Sequence, residues 1–210
     1  MKLPYLLGLL LVTAINTSSA CATEAGDWVV RARAVGVLPQ EDADITGAVT
    51  GSSIDIENSL VPEVDISYFI TPNIAMELVL ATTPHDVSAQ NTSSGNLDLG
   101  NAWLLPPTLT AQYHFTDFGA WKPYVGAGAN YTIFYKEKAA GSSIADIEYD
   151  NSFGPALQVG MDYMIDERWM LNIDIKKIWI NSDVKINGGA VRADVDINPW
   201  LVGVGVGYRF

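Results

Sequence analysis

The sequence predicts an all-β protein, an eight-stranded antiparallel up-and-down transmembrane β-barrel, and three observations support this prediction. Segments of about ten residues that alternate between apolar and polar side chains recur along the chain, as strands do. Only 17% of the residues are charged, against about 25% in a typical soluble domain. The connections between segments alternate between short and long, which is typical of outer-membrane barrels.

The first 22 residues are predicted to be a secretory signal peptide, which is removed to leave residues 23–210 as the barrel. Lys2 supplies the positive charge, residues 3–15 form an apolar run, and Ala20-Cys21-Ala22 fits a small-x-small cleavage site. The apolar run is shorter than the roughly 20 residues that a transmembrane helix needs. Cys21 is either discarded with the signal or acylated as a lipoprotein cysteine.

Eight alternating segments are predicted to be the barrel strands, and they span residues 28–38, 61–71, 74–83, 106–115, 123–135, 153–165, 168–180 and 199–210. Three connections are short turns: 71–73, 116–122 and 166–167. Four others are long and polar, and they cover approximately 39–60, 84–105, 136–152 and 181–196. Their content of Gly, Ser, Asn and Asp predicts loops. The short turns are assigned to the periplasmic end.

The aromatic residues indicate that the apolar face meets lipid, whereas alternation by itself also fits a soluble sandwich or a lipocalin-like barrel. Trp169 and Trp179 lie ten residues apart on one face, as do Trp200 and Phe210. Ten residues of strand rise by roughly 33 Å. With a tilt of about 40° this length spans roughly 25 Å, the height of the apolar band between two aromatic girdles.

The opposite faces of the strands are charged, and an eight-stranded barrel is just wide enough for such side chains to fill it. We predict an interior charge plug toward the periplasmic half, formed by Arg31, Arg33, Glu63, Asp65, Glu77, Asp174 and Arg209.

The last strand carries Tyr208 and ends on Phe210. A terminal aromatic residue at the periplasmic interface is expected to anchor this strand. Tyr208 and Phe210 are predicted to be the signal that the barrel-assembly machinery reads.

Several motifs resemble the OmpW family of outer-membrane proteins, which includes the AlkL-type alkane importers. They lie at residues 25–27, 77–84, 105–109, 112–113, 122–128, 130–132 and 207–210. The resemblance covers nearly all of the chain after the signal except the long loops. It implies an eight-stranded barrel with a narrow apolar passage for small hydrophobic compounds. It also implies an apolar aromatic residue where this chain has Lys176, so the gate here is not fully hydrophobic.

A solute that enters a plugged barrel must leave sideways, through a weak part of the wall. Proline cannot donate to a strand ladder, and prolines meet at the outer ends of the second, third and fourth predicted strands. The predicted lateral exit lies between these strands and is bounded by Pro62, Pro84, Pro106 and Pro107. The residues predicted to form the passage are Val79, Ala81, Pro84, Leu105, Pro106, Pro107 and Lys176. The alternative is that these prolines only end strands beside a long loop.

Other functional classes fit the sequence less well. The formal net charge of −12 argues against nucleic acid as a partner. Lipid-modifying barrels place a catalytic His and Ser at the rim, whereas His85 starts an outer loop. His114 faces inward near the periplasmic turn, where no lipid substrate would reach both it and a serine. Asp44, Asp55 and Asn101 lack metal-ligand spacing, and neither a metal nor a cofactor is expected.

The expected location is the bacterial outer membrane. The expected partners are its lipid and lipopolysaccharide, the assembly machinery and small hydrophobic solutes. The long loops also suit docking by phage or bacteriocins. The alternative function is a plugged structural, adhesion or receptor barrel without a transport passage.

Overall fold

The computed structural model describes residues 23–47, 53–93, 95–139 and 146–210. The predicted signal peptide and Cys21 lie outside the described residues. None of the described segments forms a helix long and apolar enough to cross a membrane.

The described residues form fifteen β-strands. In chain order they are β1 Trp28–Leu38, β2 Asp42–Gly47, β3 Ser53–Ile56, β4 Ser59–Phe69, β5 Ile74–Ala81, β6 Thr83–Thr92, β7 Gly95–Leu105, β8 Thr108–His114, β9 Trp121–Ala139, β10 Ile147–Tyr149, β11 Ser152–Met164, β12 Trp169–Ile178, β13 Asn181–Ile186, β14 Val191–Asp196 and β15 Trp200–Arg209.

Eight of these strands close into one antiparallel barrel, in the order β1, β4, β5, β8, β9, β11, β12 and β15. The last strand pairs with the first from Leu38–Trp200 to Val29–Arg209, so the sheet closes on itself. The eight barrel strands correspond to the eight predicted segments. The predicted fold is therefore confirmed.

The other seven strands form an extension above the barrel, where the sequence predicted polar loops. Strands β10, β13, β14 and β2 make one small sheet, while β3, β6 and β7 join the barrel through the pairing of β7 with β9. The loop prediction was wrong because short alternations such as Ala43 and Ile45, or Ala193 and Val195, bury a common apolar core. Polar neighbours and turn residues hide these alternations in the sequence.

The outward face of the barrel is apolar. Leu157 is 52% exposed and Val204 is 55% exposed, which is costly in water but favourable in lipid. Trp169 and Tyr208 lie in contact at the short-turn end, with ring centroids 5.0 Å apart. Together these side chains form the lipid-facing band that the sequence predicted.

The interior of the barrel is layered. At the periplasmic end, a small apolar layer contains Val29, Phe69, Ala75, Met164 and Met170. Charged and amide side chains fill the middle. Above them, Val35, Val37 and Val61 begin a second apolar layer, which continues into the core of the extension.

Candidate functional site

The middle of the barrel holds a buried cluster of charges that we call the central ion-pair network. It consists of Arg31, Arg33, Glu63, Asp65, Glu77, Asp162, Asp174 and Lys176. They meet because each lies on the inward face of its strand, since successive side chains of a strand point to opposite faces.

The periplasmic side of the network centres on Arg31, which is fully buried. Its Nη2 lies 2.7 Å from Oδ2 of Asp162, and its Nη1 lies 3.0 Å from Oδ1 of Asp65. Nη1 also donates to Oγ of Ser67 at 2.8 Å. Arg31 therefore joins β1 to β4 and, across the lumen, to β11.

The extracellular side of the network is a ring of two cations and two carboxylates. Arg33 Nη1 lies 3.1 Å from Glu63 Oε1 and 3.2 Å from Asp174 Oδ1. Lys176 Nζ lies 2.9 Å from the same Glu63 oxygen and 3.4 Å from the same Asp174 oxygen. We call these four residues the upper ring, and their formal charges cancel.

Neutral polar side chains complete the network. Gln158 Nε2 donates to Glu77 Oε1 and to Asp174 Oδ2, both at 2.8 Å. Tyr124 Oη donates to Asp174 Oδ2 at 2.7 Å, and Asn172 Nδ2 donates to Asp162 Oδ1 at 2.8 Å. Buried charges are tolerated where hydrogen bonds satisfy them in this way. The network spans the lumen between β4 and β5 on one side and β11 and β12 on the other.

The structure brings six of the seven predicted plug residues into this network: Arg31, Arg33, Glu63, Asp65, Glu77 and Asp174. Arg209, the seventh, lies at the periplasmic end of the barrel instead. Its Nη1 lies 3.8 Å from Oδ2 of Asp27, because the residue stands at the periplasmic end of β15.

The predicted plug omitted Asp162, Lys176 and Tyr124, all of which the structure places in or against the network. For Tyr124, the alternation in β9 contained the signal. It lies two residues before Gly126 and therefore on the inward face.

An apolar pocket, which we call the upper cavity, lies directly above the network. It encloses about 580 Å³, including the open space at its mouth. Its apolar lining consists of Val35, Val37, Pro39, Val61, Val79, Ala81, Leu104, Pro106, Ile178, Ile180, Ile197, Pro199 and Leu201. Its polar lining consists of Glu63, Thr83, His85, Thr108 and Lys176. The upper ring therefore supplies the two charged residues of the lining, at the floor of the cavity.

His85 contributes a neutral side chain to the wall of the upper cavity. It lies on β6 in the extension, is 6% exposed, and its Nδ1 is 3.4 Å from the carbonyl oxygen of Glu57. Burial lowers the pKa of His85 below its usual value. The neutral imidazole is compatible with an apolar ligand.

The structure places the predicted passage residues in two groups. Val79, Ala81, Pro106 and Lys176 line the upper cavity, whereas Pro84, Leu105 and Pro107 are outside its lining. On β6 the residues on either side of Pro84, Thr83 and His85, are buried, so Pro84 points outward. On β7 Leu104 is buried in place of Leu105. If Trp103 is assigned to the lipid-facing side of β7, the alternation of strand side chains places Leu104 inward and Leu105 outward.

The barrel wall beside the cavity has a break in its hydrogen-bond ladder. The β5–β8 ladder ends at Val79–Thr108, and the β6–β7 ladder begins at Thr83–Leu104. Between them, residues 80–82 and 105–107 form no ladder with each other in the described pairings. We call this break the wall window.

Each side of the wall window is paired with the barrel strand on its far side, away from the window. Leu80 pairs with Val64 of β4, and Leu105 pairs with Ile133 of β9. Thr82 Oγ1 and Tyr135 Oη share a hydrogen bond that connects the two sides. The β4–β5 ladder ends at the pair Glu63–Ala81, and Pro62 lies one residue beyond it on the extracellular side. Pro62 still pairs with Ala34 in the β1–β4 ladder.

The two histidines do not form a catalytic pair. His114 is buried near the periplasmic end, where its Nε2 lies 3.0 Å from Gln112 Oε1 and its ring stacks on Tyr124. Its partners are those of a packed interior residue. Among the described residues, no group of three or more His, Cys, Asp or Glu is arranged to hold a metal ion.

Comparison with known proteins gives a consistent result. Residues 24–210 match the model of the OmpW family. The outer-membrane protein y4mB of Sinorhizobium fredii is 48% identical over 186 residues, which cover 87% of this chain and 80% of that protein. Outer membrane protein W of Vibrio cholerae is 35% identical over 213 residues, which cover 97% of each chain.

A solved structure supports the same assignment. The crystal structure of the outer membrane protein OprG from Pseudomonas aeruginosa is 27% identical to this chain, with a TM-score of 0.82. The match covers 90% of this chain and 98% of that one. OmpW-family proteins are outer-membrane barrels and not enzymes, which agrees with the prediction from the sequence. The chain belongs to the OmpW family, and it is an eight-stranded β-barrel of the bacterial outer membrane.

Proposed function

We propose that this barrel takes up small hydrophobic molecules across the outer membrane and releases them sideways into the lipid. The observation that carries the proposal is the position of the upper cavity, which lies above the central ion-pair network and beside the wall window. An apolar solute gains free energy when it leaves water for an apolar pocket. The resemblance to alkane-importing members of the family supports the same solute class.

The central ion-pair network supports a lateral exit over an axial one. An apolar solute that moved straight through the barrel would separate buried ion pairs such as Arg31–Asp162, and isolating a buried charge is costly. The solute would then meet the apolar layer around Phe69 and Met164. At the wall window the backbone ladder is already open, so a solute there would displace side chains only.

A plugged barrel that serves only structure or adhesion is the second candidate. It is favoured by the same network, because eight buried charges across the lumen obstruct the axial path. Uptake distinguishes the two candidates, since a barrel without a passage leaves solute entry unchanged.

A reversible disulfide across the wall window tests the proposal. Ala81 and Pro106 continue the β5–β8 register, so cysteines at these two positions would bridge the window. The matched control is a cysteine pair at Ala34 and Val204, which already face each other in the β1–β15 ladder. Uptake of a small alkane is measured in cells that have a lipopolysaccharide outer leaflet.

The proposal predicts that oxidation of the Ala81–Pro106 pair abolishes alkane uptake, that reduction restores it, and that the control pair has no effect. Unchanged uptake through a fully oxidised, folded barrel would exclude this exit. Uptake equal to that of cells without the protein would favour the structural candidate.

A further inference from the structure

We propose that the upper cavity selects amphiphiles with one uncharged, hydrogen-bonding end, the simplest being a primary alcohol on an apolar chain. The inference rests on the proposed function and concerns the chemical class of the solute. Its basis is that the apolar walls of the cavity end at a floor of charged side chains, with which an alkane forms no hydrogen bonds.

The floor offers a donor and an acceptor side by side. Lys176 is 1% exposed and Glu63 is 3% exposed, yet both line the cavity. Lys176 Nζ lies 2.9 Å from Glu63 Oε1. An ammonium group can only donate hydrogen bonds and a carboxylate can only accept them. A hydroxyl group does both, so it can accept from Lys176 and donate to Glu63 at the same time.

The floor of the cavity presents one charge of each sign, Lys176 and Glu63, which argues against a charged end of either sign. Arg33 and Lys176 face Glu63 and Asp174 with both cations close to both carboxylates. A carboxylate at the end of a solute would enter beside Glu63, and an ammonium would enter beside Lys176, because these two charged residues line the cavity. Like charges repel strongly where the surroundings exclude water. A neutral dipolar group meets neither repulsion.

An alkane of equal length is also a poorer ligand. Its terminal methyl group would rest on the Lys176–Glu63 pair and remove any water there without replacing its hydrogen bonds. Burying polar groups without compensation is unfavourable. The apolar walls, by contrast, contact the chain equally in both ligands. The difference in affinity between the alcohol and the alkane therefore measures the contribution of the floor residues.

The test compares octane, 1-octanol, octanoate and octylammonium as ligands of the full chain in lipid nanodiscs. Binding is followed by the NMR shifts of the Val, Leu and Ile methyl groups that line the cavity, at equal mole fraction of each compound in the lipid. Because a hydrogen bond to a charged group stabilises more than one between neutral groups, 1-octanol is expected to bind about tenfold more tightly than octane. Both ions are expected to bind more weakly than 1-octanol.

Lys176→Met is the diagnostic variant, and Lys177→Met is its control. Lys177 is the next residue of β12 and points outward, where its Nζ donates to Gln40 Oε1 at 2.7 Å and lies over Trp200. The 1-octanol preference should fall in Lys176→Met, because the hydroxyl loses its donor while Glu63 remains as an acceptor; octane binding should be retained, and the preference should stay unchanged in Lys177→Met. The wild-type comparison is informative even if Lys176→Met does not fold.

Equal binding of octane and 1-octanol to the wild type would overturn the inference and leave the proposed function intact. Tighter binding of either ion would also overturn it, as would a preference that is undiminished in Lys176→Met. Shifts with none of the four compounds would instead contradict the proposed function, because the cavity would then hold no apolar solute.

Discussion

At the scale of single residues, the interior of this barrel depends on buried ion pairs, and those of Arg31 illustrate them. Arg31 pairs with Asp65 and Asp162, and both carboxylates are themselves buried. The sequence predicts that Arg31 points inward, because the strand period fixes its face. It does not predict the partner Asp162, which lies 131 residues away along the chain.

Replacing Arg31 with methionine should destabilise the barrel strongly. The change removes the arginine that pairs with Asp162 and one of the two arginines that pair with Asp65, and breaking a buried ion pair costs about 3–5 kcal/mol. Urea unfolding in lipid vesicles, followed by gel mobility without heating, measures the loss. Arg192→Met is the control, since Arg192 is exposed on the extension. A similar loss in both variants would show that the network contributes no more than a surface arginine does.

His85 should make the stability of the fold depend on pH. Burial lowers its folded-state pKa, so in the unfolded chain it binds a proton first, near pH 6.5. The stabilisation is fully present above that pH and declines as the pH falls toward the folded-state pKa. The difference in unfolding free energy between wild type and His85→Leu should therefore shift in favour of the variant on acidification. A difference that stays constant from pH 8 to pH 5 would contradict this.

At the scale of strands, the alternation of apolar and polar residues is sufficient to predict the eight barrel strands, because each has one face in lipid and one face in a filled interior. It is not sufficient for the extension. Strands such as β2 and β14 have six residues each, and Asp42, Asp44, Asp194 and Asp196 lie between their buried positions. Aspartate is depleted in strands, so these segments resemble loops in the sequence.

Close contact between β1 and β15 should make the stability of the barrel sensitive to substitution of Gly205. A Cβ at Gly205 would lie 2.1 Å from the carbonyl oxygen of Ala32 and 2.8 Å from Cα of Arg33, both of which are backbone atoms. At Gly36, across the same strand pair, the nearest atom would be 3.8 Å away. Gly205→Ala should cost roughly 1–3 kcal/mol and Gly36→Ala much less, as measured by urea unfolding. Equal effects would mean that the strands separate without strain.

Deletion of Phe210 should reduce assembly in cells. Its backbone N–H donates to the carbonyl oxygen of Trp28 at 2.9 Å, and its ring packs on Tyr208. The deletion therefore weakens the closing seam and removes the predicted assembly signal. The fraction of heat-modifiable protein in the outer membrane measures the effect, with deletion of Gly95 in the extension as control. Equal assembly of both variants would exclude a special role for the last residue.

At the scale of the whole molecule, the central ion-pair network crosses the lumen, and the upper cavity and the wall window lie above and beside it. Under the proposed function, apolar solutes would pass through the cavity and the window while the network blocks ions, whereas an open pore would pass both. The sequence predicts an inward-facing charged layer and an apolar region near the prolines. The cavity itself could not be predicted, because it depends on Ile178, Ile180, Ile197 and Leu201 converging from the barrel and the extension.

The most direct test of the proposed lateral route compares alkane uptake by cells with the ion conductance of the purified protein in planar bilayers. Alkane uptake is measured in cells with and without the protein, and conductance is recorded in planar bilayers. A lateral route above a closed lumen predicts that the protein raises alkane uptake while its conductance stays near the background of the bilayer. A conductance like that of a 16-stranded porin, or alkane uptake equal to that of cells without the protein, would contradict it.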